Sequence, residues 1–447
     1  MGYVKIGGLY FMFLFKYLKQ RICLTDLSNR LFHSASWALV GAVVGRGITM
    51  LTYIIVARLL TQEVYGEFGI LRSTINMFTV FAGMGLGSTA SKYISQYRNV
   101  NPTKAGDIYT LSNILIFFIA LIFTLLLFFS SSYIAEYSLN APHLSDEIKV
   151  GTIVLFFITV NSVQNGALSG FEDFKSISIN TVISSCIQAV FLIVGCYWSG
   201  IYGALIGWGI GCFSCYLLNR RSIHLQLKKY RLSSNIRRLR KEELTILWKF
   251  SVPSLLASVM VGPVLWWTKT YLISRSSYSE MAVYDVAEQW YTIVLFVPVT
   301  LAQIILPMLT NTLEEGSKEQ YLKLVKINLG INVLVSLVLS LFIILIGPYI
   351  MEFYGKGFVD IRTMSIMMMA TVASSACNVV GQVIASRDKM WYGFAFNMLW
   401  AVIFILLTVF CVGSLGMEAS GLALAFLLSY ILHFILQTIY LSRVLNK

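Results

Sequence analysis

Arg46 is the residue of this sequence whose position most needs a chemical explanation. It lies near the middle of a hydrophobic stretch, residues 34–60, whose only other charged residue is Arg58. At about 1.5 Å per residue, a helix that begins near Ser36 would place Arg46 roughly 15 Å deep, near the centre of a hydrocarbon layer about 30 Å thick. A charge at that depth costs roughly 2.5–3.5 kcal/mol on insertion scales, so it normally faces a water-filled cavity or an opposite charge. Because a guanidinium group binds phosphate through paired hydrogen bonds, the predicted chemistry is recognition of a phosphate-bearing anion.

Polar and charged side chains recur at helical spacing on other hydrophobic segments as well. Arg46, Thr49 and Tyr53 fall on one face of the first segment, because residues three or four apart in a helix are neighbours. The candidates for ligand binding on such stripes are Arg46, Arg72, Lys269, Tyr53, Asn76, Ser254, Ser258 and Gln289. For the uncharged candidates, hydrogen bonding between helices is the competing interpretation and the commoner one. For Arg72 and Lys269, which lie toward the ends of their segments, the alternative is a side chain that snorkels to the membrane surface.

Two carboxylates, Asp285 and Glu288, share a face of the eighth hydrophobic segment with Gln289. Two interpretations of these carboxylates stand side by side. They neutralise Lys269 or Arg72, or they bind a coupling cation or proton. The sequence does not separate these two interpretations.

The composition requires a membrane-spanning architecture to position these residues. Of the 447 residues, 57% are hydrophobic and 12% are charged, and the mean hydropathy is +0.74. This composition excludes a soluble domain, and the hydrophobic runs are too long for the strands of a membrane barrel. The sequence predicts an all-α protein with twelve transmembrane helices, at about 36–60, 65–86, 108–132, 149–169, 176–198, 200–219, 248–274, 281–305, 325–348, 361–384, 392–413 and 418–441.

The distribution of basic residues predicts the orientation. Most of the 34 lysines and arginines fall in segments that are cytoplasmic if the N-terminus is cytoplasmic, as the positive-inside rule requires. Both termini are therefore predicted to lie in the cytoplasm, and the same rule explains the net charge of +13 without nucleic acid. We expect a basic interfacial tail at 1–32, for which a dispensable extension is the equal alternative, an N-terminal lobe at 33–219, a basic cytoplasmic linker at 220–247 and a C-terminal lobe at 248–447.

The two groups of six helices resemble each other in sequence. Tyr65 and Tyr284, and likewise Asn180 and Asn397, recur at nearly the same separation, which indicates an internal duplication. Because six spans bring the chain back to its starting side, the two copies should be parallel, with a ligand site between them. Proline weakens a helix by removing a hydrogen bond. The predicted bending points for a change of access are Pro253, Pro263, Pro298 and Pro307.

Four short motifs resemble a known family. They are Val56-Ala57-Arg58-Leu59-Leu60, Val64-Tyr65-Gly66-Glu67-Phe68-Gly69, Gly83-Met84-Gly85-Leu86-Gly87 and Gly170-Phe171-Glu172-Asp173-Phe174-Lys175. With the twelve-span plan, they are similar to the polysaccharide flippases of the multidrug/oligosaccharidyl-lipid/polysaccharide exporter superfamily.

The resemblance implies a V-shaped, two-lobed carrier in the bacterial inner membrane. Its implied substrate is an undecaprenyl-pyrophosphate oligosaccharide, the repeat unit of an O-antigen, capsule or exopolysaccharide. Arg46 falls where related flippases carry a first-helix arginine that faces the cavity, whereas a second cavity arginine of the lipid II flippases is matched here by Thr52. The implied partners are membrane lipids, a polysaccharide polymerase and a chain-length regulator, and neither a cofactor nor nucleic acid is expected.

Two other functions are compatible with a protein of this composition. A multidrug or organic-cation antiporter of the same fold should have an acidic cavity, whereas the deepest charge here is positive. A membrane polymerase or acyltransferase should carry a catalytic cluster in a large outside loop, but His143 is the only histidine in the predicted outside loops. The sequence has no nucleotide-binding motif, so we expect transport driven by an ion gradient or by the flux of substrate.

Overall fold

The computed structural model describes residues 26–230, 260–314, 318–355, 357–387 and 390–445. In these ranges all regular structure is helical, with short π-helical turns at Ile134–Ser138 and Val409–Ser414 and a 3-10 turn at Pro142–Leu144. The α-helices are α1 (Asp26–Leu59), α2 (Gln62–Gly83), α3 (Leu86–Tyr97), α4 (Pro102–Tyr133), α5 (Ser145–Gly170), α6 (Phe174–Lys229), α7 (Val261–Arg275), α8 (Tyr278–Glu314), α9 (Lys318–Tyr354), α10 (Ile361–Ser386), α11 (Met390–Thr408) and α12 (Glu418–Leu445).

Eight helices of the described residues are long and apolar enough to cross a membrane. One of them, α6, contains two predicted spans joined at Ser199 and Gly200, where the backbone leaves the helical conformation. Helices α2 and α8 are not among the eight, and both carry charges in their interiors, Arg72 in α2 and Asp285 and Glu288 in α8. The prediction of an all-α, multi-pass membrane protein is confirmed.

The two halves of the chain repeat one packing pattern. In the first half, α5 packs against α4 and α6, and it also contacts α2 and α3. In the second half, α10 takes the equivalent place between α9 and α12, and it packs against α8. This correspondence is what the predicted parallel repeat requires, and the two halves are called the N-lobe and the C-lobe below.

The second span of the N-lobe is broken where its glycines cluster. Met84 and Gly85 adopt φ angles of 43° and 65°, and α3 begins directly afterwards at Leu86. Left-handed backbone of this kind costs little only at glycine. The corresponding helix of the C-lobe, α8, runs without a break from Tyr278 to Glu314.

The predicted bending prolines occupy different places in these helices. Pro263 lies in the first turn of α7, a position where a missing N–H group removes little. Pro298 and Pro307 lie within α8, and Pro253 lies outside the described residues. Of the predicted linker, the first part continues α6 as far as Lys229, and the rest, like most of the predicted tail, lies outside the described residues.

Helix α1 is fastened to α6 by small residues. A Cβ atom added to Gly41 would lie 2.5 Å from the Cβ atom of Ser178, and one added to Gly45 would lie 3.0 Å from the methyl group of Thr181. The hydroxyl of Ser178 donates a hydrogen bond to the carbonyl of Trp37. Small residues allow helices in membranes to approach closely in this way. One face of α1 therefore packs directly against α6.

The lobes meet tightly at one end of the molecule, which we call the closed end. It is formed by residues 57–66, 278–280, 353–355 and 357–358. Gln62 donates a hydrogen bond to the carbonyl of Ser279 (3.3 Å), and Arg58 donates one to the carbonyl of Phe353 (2.6 Å). A Cβ atom added to Gly66 would lie 1.8 Å from the carbonyl oxygen of Tyr278. The helix α2 therefore touches α8 there at backbone distance.

Candidate functional site

A cavity of about 580 Å³ lies between α1, α2 and α6 of the N-lobe and α8 of the C-lobe. Its lining extends along α1 from Ala38 to Tyr53, so it stops about one helical turn short of the closed end. The volume falls in the range of about 300–1,000 Å³ that is typical of small-molecule sites. We call it the N-cavity.

The guanidinium group of Arg46 is exposed in the N-cavity. It donates one long hydrogen bond, of 3.4 Å, to the carbonyl of Thr292, and it lies over the ring of Phe296. Within the described residues it forms no ion pair with a carboxylate. The positive charge in the middle of the span 37–59 is therefore available to an incoming anion.

The other polar residues of the α1 stripe also reach the N-cavity. Thr49 and Tyr53 line it together with Arg46. From α8, Gln289 and Thr292 line the opposite wall. The periodicity of the sequence thus brings polar side chains from both lobes to one cavity, where they are spaced to hydrogen-bond a polar ligand.

Arg72 is buried and holds an ion pair that links the lobes. Its Nη2 atom donates to both carboxylate oxygens of Asp285, at 2.9 and 3.1 Å, and its guanidinium carbon lies 4.1 Å from the centre of the Tyr53 ring. The same carboxylate accepts a hydrogen bond of 2.8 Å from Gln289. Gln289 in turn donates to the hydroxyl of Tyr65 at 2.9 Å. The arrangement joins α2 and α8 by a charged network.

A second ion pair joins α7 to α8 within the C-lobe. The Nζ atom of Lys269 lies 2.6 Å from a carboxylate oxygen of Glu288, and their side chains are 7% and 23% exposed. Both line a cavity of about 360 Å³ between α2, α7 and α8, which we call the C-cavity. Arg72, Asn76 and Glu288 line both cavities, so these three side chains form the wall between them.

The structure therefore brings together six of the eight predicted ligand-binding residues. Arg46, Tyr53, Arg72, Asn76 and Gln289 line the N-cavity, and Lys269 lines the C-cavity. Ser254 and Ser258 lie outside the described residues. The carboxylates Asp285 and Glu288 each pair with a cation, which corresponds to the neutralising role in the sequence analysis. No cluster of potential metal ligands occurs in the described part of the chain.

One wall of the N-cavity was missed by the sequence analysis. It is formed by the start of α6, where Ser178, Thr181 and Ser185 line the cavity, together with Trp208 farther along. The three hydroxyl residues are spaced three and four apart, which is the same signal that identified the stripe on α1. In an otherwise apolar helix that also carries other serines and cysteines, this signal does not stand out from ordinary packing residues.

The balance of charged side chains around the N-cavity determines which kind of ligand it can bind. Arg72 and Lys269 are each balanced by a carboxylate, whereas Arg46 is not balanced by any among the described residues. The cavity is consequently cationic, and hydroxyl and amide groups surround the cation. Such a site suits an anion that also carries hydrogen-bonding groups.

The model of the family described as "Polysaccharide biosynthesis protein" matches residues 31–313. The chain belongs to this family. The matched range includes every residue that lines the N-cavity or the C-cavity.

Two relatives of this family member have the same name, "EPS I polysaccharide export inner membrane protein EpsE". The protein from Ralstonia nicotianae is 24% identical over 428 residues, which cover 92% of this chain and 94% of the relative. The protein from Ralstonia solanacearum is 23% identical over 423 residues, with the same coverage.

Solved transporters share the fold of this family member. An inward-facing multidrug resistance MATE family transporter of the MOP superfamily superposes with a TM-score of 0.76 at 15% identity, over 92% of this chain and 98% of the transporter. A MOP superfamily transporter from Pyrococcus furiosus gives a TM-score of 0.70 at 15% identity, over 93% and 95%. The predicted MOP-type fold is confirmed.

Proposed function

We propose that this protein is a flippase that carries a lipid-linked oligosaccharide across the bacterial inner membrane by alternating access. The substrate class is an undecaprenyl-pyrophosphate oligosaccharide. The observation that carries the proposal is the guanidinium group of Arg46, exposed in the N-cavity without a carboxylate partner among the described residues. The names of the Ralstonia relatives, as polysaccharide export proteins, support the same function.

The chemistry of the cavity suits each part of this substrate. The pyrophosphate is the part that resists transfer across a low-dielectric layer, and an arginine held in a wet cavity compensates its charge. Thr49, Thr181 and Ser185 line the same cavity and supply hydroxyl groups for the sugar. The polyprenyl chain is as apolar as the surrounding lipid, so it remains in the bilayer while the head group crosses.

The orientation completes the proposed cycle. With both termini in the cytoplasm, the closed end faces the periplasm and the N-cavity receives its ligand from the inner leaflet. The chain superposes on a MATE transporter in its inward-facing conformation with a TM-score of 0.76 and on an outward-facing one with 0.68, which supports this assignment. Export then requires the closed end to separate.

A multidrug or organic-cation antiporter is the rival function for this fold. An unbalanced cation in the binding cavity repels a cationic drug, so the charge of the N-cavity favours an anionic substrate. In the Pyrococcus furiosus transporter of the same fold, a binding pocket of reverse polarity suggests a different function. For this fold, pocket charge is therefore a better guide to substrate than architecture.

The test is replacement of Arg46 in the polysaccharide-producing bacterium. Arg46→Ala should lower surface polysaccharide about tenfold or more, since a charged hydrogen bond contributes roughly 1.5–3 kcal/mol, and Arg46→Lys should restore part of it. The matched control is Arg221→Ala, which removes an exposed cation of α6 away from the N-cavity. Membrane levels of each variant are measured by immunoblot. Normal polysaccharide from Arg46→Ala at normal protein levels would refute the proposal.

A further inference from the structure

We infer that Arg72 is a second phosphate ligand held in reserve by Asp285, and that the pyrophosphate loosens the lobes by replacing this carboxylate. The inference rests on the proposed function and adds to it. In this inference the Arg72–Asp285 pair has two roles. Arg72 binds the second phosphate, and loss of the pair couples substrate binding to movement of the lobes.

The ion pair uses only part of the guanidinium group. Both hydrogen bonds to Asp285 come from Nη2, while Nη1 is buried and has no hydrogen-bond partner among the described residues. A guanidinium group is strongest when two of its nitrogens bind one oxyanion. Because Arg72 also lines the N-cavity, a phosphate there offers it a paired contact that Asp285 does not provide.

The position of Arg72 suits a ligand that also contacts Arg46. Arg72 stacks on Tyr53, and Tyr53 follows Arg46 by two helical turns, about 10 Å along the axis. Two long side chains can approach one diphosphate from its two ends over this separation. Arg46 would then hold one phosphate and Arg72 the other.

The carboxylate keeps one hydrogen-bond donor, Gln289, when Arg72 leaves it. Gln289 donates to Asp285 at 2.8 Å, and the amide of Gln289 is oriented by Tyr65. Asp285 belongs to the C-lobe and Arg72 to the N-lobe, so exchange of the partner removes an attraction between the lobes. It also places a phosphate beside a carboxylate, and these like charges repel.

The pair between Lys269 and Glu288 behaves differently because of its place in the fold. Both residues belong to the C-lobe, so breaking this pair does not release one lobe from the other. The Arg72–Asp285 pair is therefore the ion pair of the described residues in which ligand exchange acts on the lobe interface.

The experiment measures binding of inorganic pyrophosphate to the purified full-length protein by isothermal titration calorimetry at fixed ionic strength. Asp285→Asn frees Arg72 and should tighten binding about tenfold, the effect of one charge-assisted hydrogen bond. Arg72→Gln combined with Asp285→Asn should abolish that gain. Asp146→Asn, at the exposed pair with Lys149, is the matched control and should leave the affinity unchanged.

A second variant covers the case in which Asp285→Asn does not fold. Arg72→Lys keeps the charge but loses the paired donors, so folded Arg72→Lys protein should bind pyrophosphate more weakly than wild type. Equal affinity in Arg72→Lys and wild type would overturn the inference.

The outcomes separate the inference from the proposed function. If Arg46→Ala abolishes binding but folded Asp285→Asn shows no gain, the reserve role of Arg72 is wrong and the proposed function stands. If no protein that retains Arg46 binds pyrophosphate, both are wrong.

Discussion

The guanidinium carbon of Arg46 lies 4.3 Å from the centre of the Phe296 ring. The two residues belong to different lobes, α1 of the N-lobe and α8 of the C-lobe. An aromatic face attracts a cation through its quadrupole and does not cancel its charge. Phe296 therefore holds Arg46 in place while leaving the charge available to an anion, which a carboxylate in the same position would not do.

Phe296→Leu should impair export without affecting folding. The substitution keeps an apolar side chain but removes the ring, and the loss of about 0.5–2 kcal/mol of cation–π attraction predicts a decrease of roughly two- to thirtyfold in flipping rate. The measurement is surface polysaccharide at matched protein levels. Val297→Ala, at the adjacent exposed position of α8, should retain full export. A Phe296→Leu variant as active as Val297→Ala would show that the ring does not position Arg46.

Gly66→Leu should prevent closure of the closed end. A side chain at this position meets the backbone of Tyr278 at 1.8 Å, and backbone cannot yield as a flexible side chain can. We expect loss of export with the protein still present in the membrane. Maleimide labelling of an added Gln62→Cys substitution should increase, because Gln62 lies in the same contact.

The matched control for Gly66 is Gly83 of the same helix, which has no atom within 4 Å of an added Cβ atom. Gly83→Leu should label like the parent protein. Unchanged labelling in Gly66→Leu would mean that this end of the molecule closes without the glycine contact.

The Lys269–Glu288 pair should show strong energetic coupling. Removing one member leaves a poorly solvated charge, so Lys269→Met or Glu288→Gln should destabilise the protein toward the lower part of the roughly 3–5 kcal/mol seen for buried pairs, since Glu288 retains 23% exposure. The double variant should lose less than the sum of the two. The measurement is thermal unfolding in detergent over a double-mutant cycle. Additive losses would show that the two charges are stabilised independently.

Much of the site could be predicted from helical periodicity. Arg46, Thr49 and Tyr53 all line the N-cavity, as their shared face indicated. Gln289 reaches it from the other lobe. Periodicity succeeds here because polar residues of a membrane helix avoid lipid, so a polar stripe must face either the protein interior or a cavity.

The partners of the charges could not be predicted in the same way. Arg72 pairs with Asp285, which lies 213 positions away in the sequence. This pairing depends on how the two lobes dock, and the sequence pattern of a single helix does not show that. The sequence left both neutralisation and ion binding open for Asp285 and Glu288. The hydroxyl wall of α6 was missed for a related reason, because Ser178 also serves in packing against Gly41.

The break at Met84 and Gly85 makes the two copies of the repeat mechanically unequal. In the N-lobe the second span turns through left-handed backbone there, whereas α8 stays helical but carries Pro298 and Pro307, where a helix lacks hydrogen bonds and bends more easily. The two lobes therefore change direction by different means, so they will not move as exact rotational copies of each other.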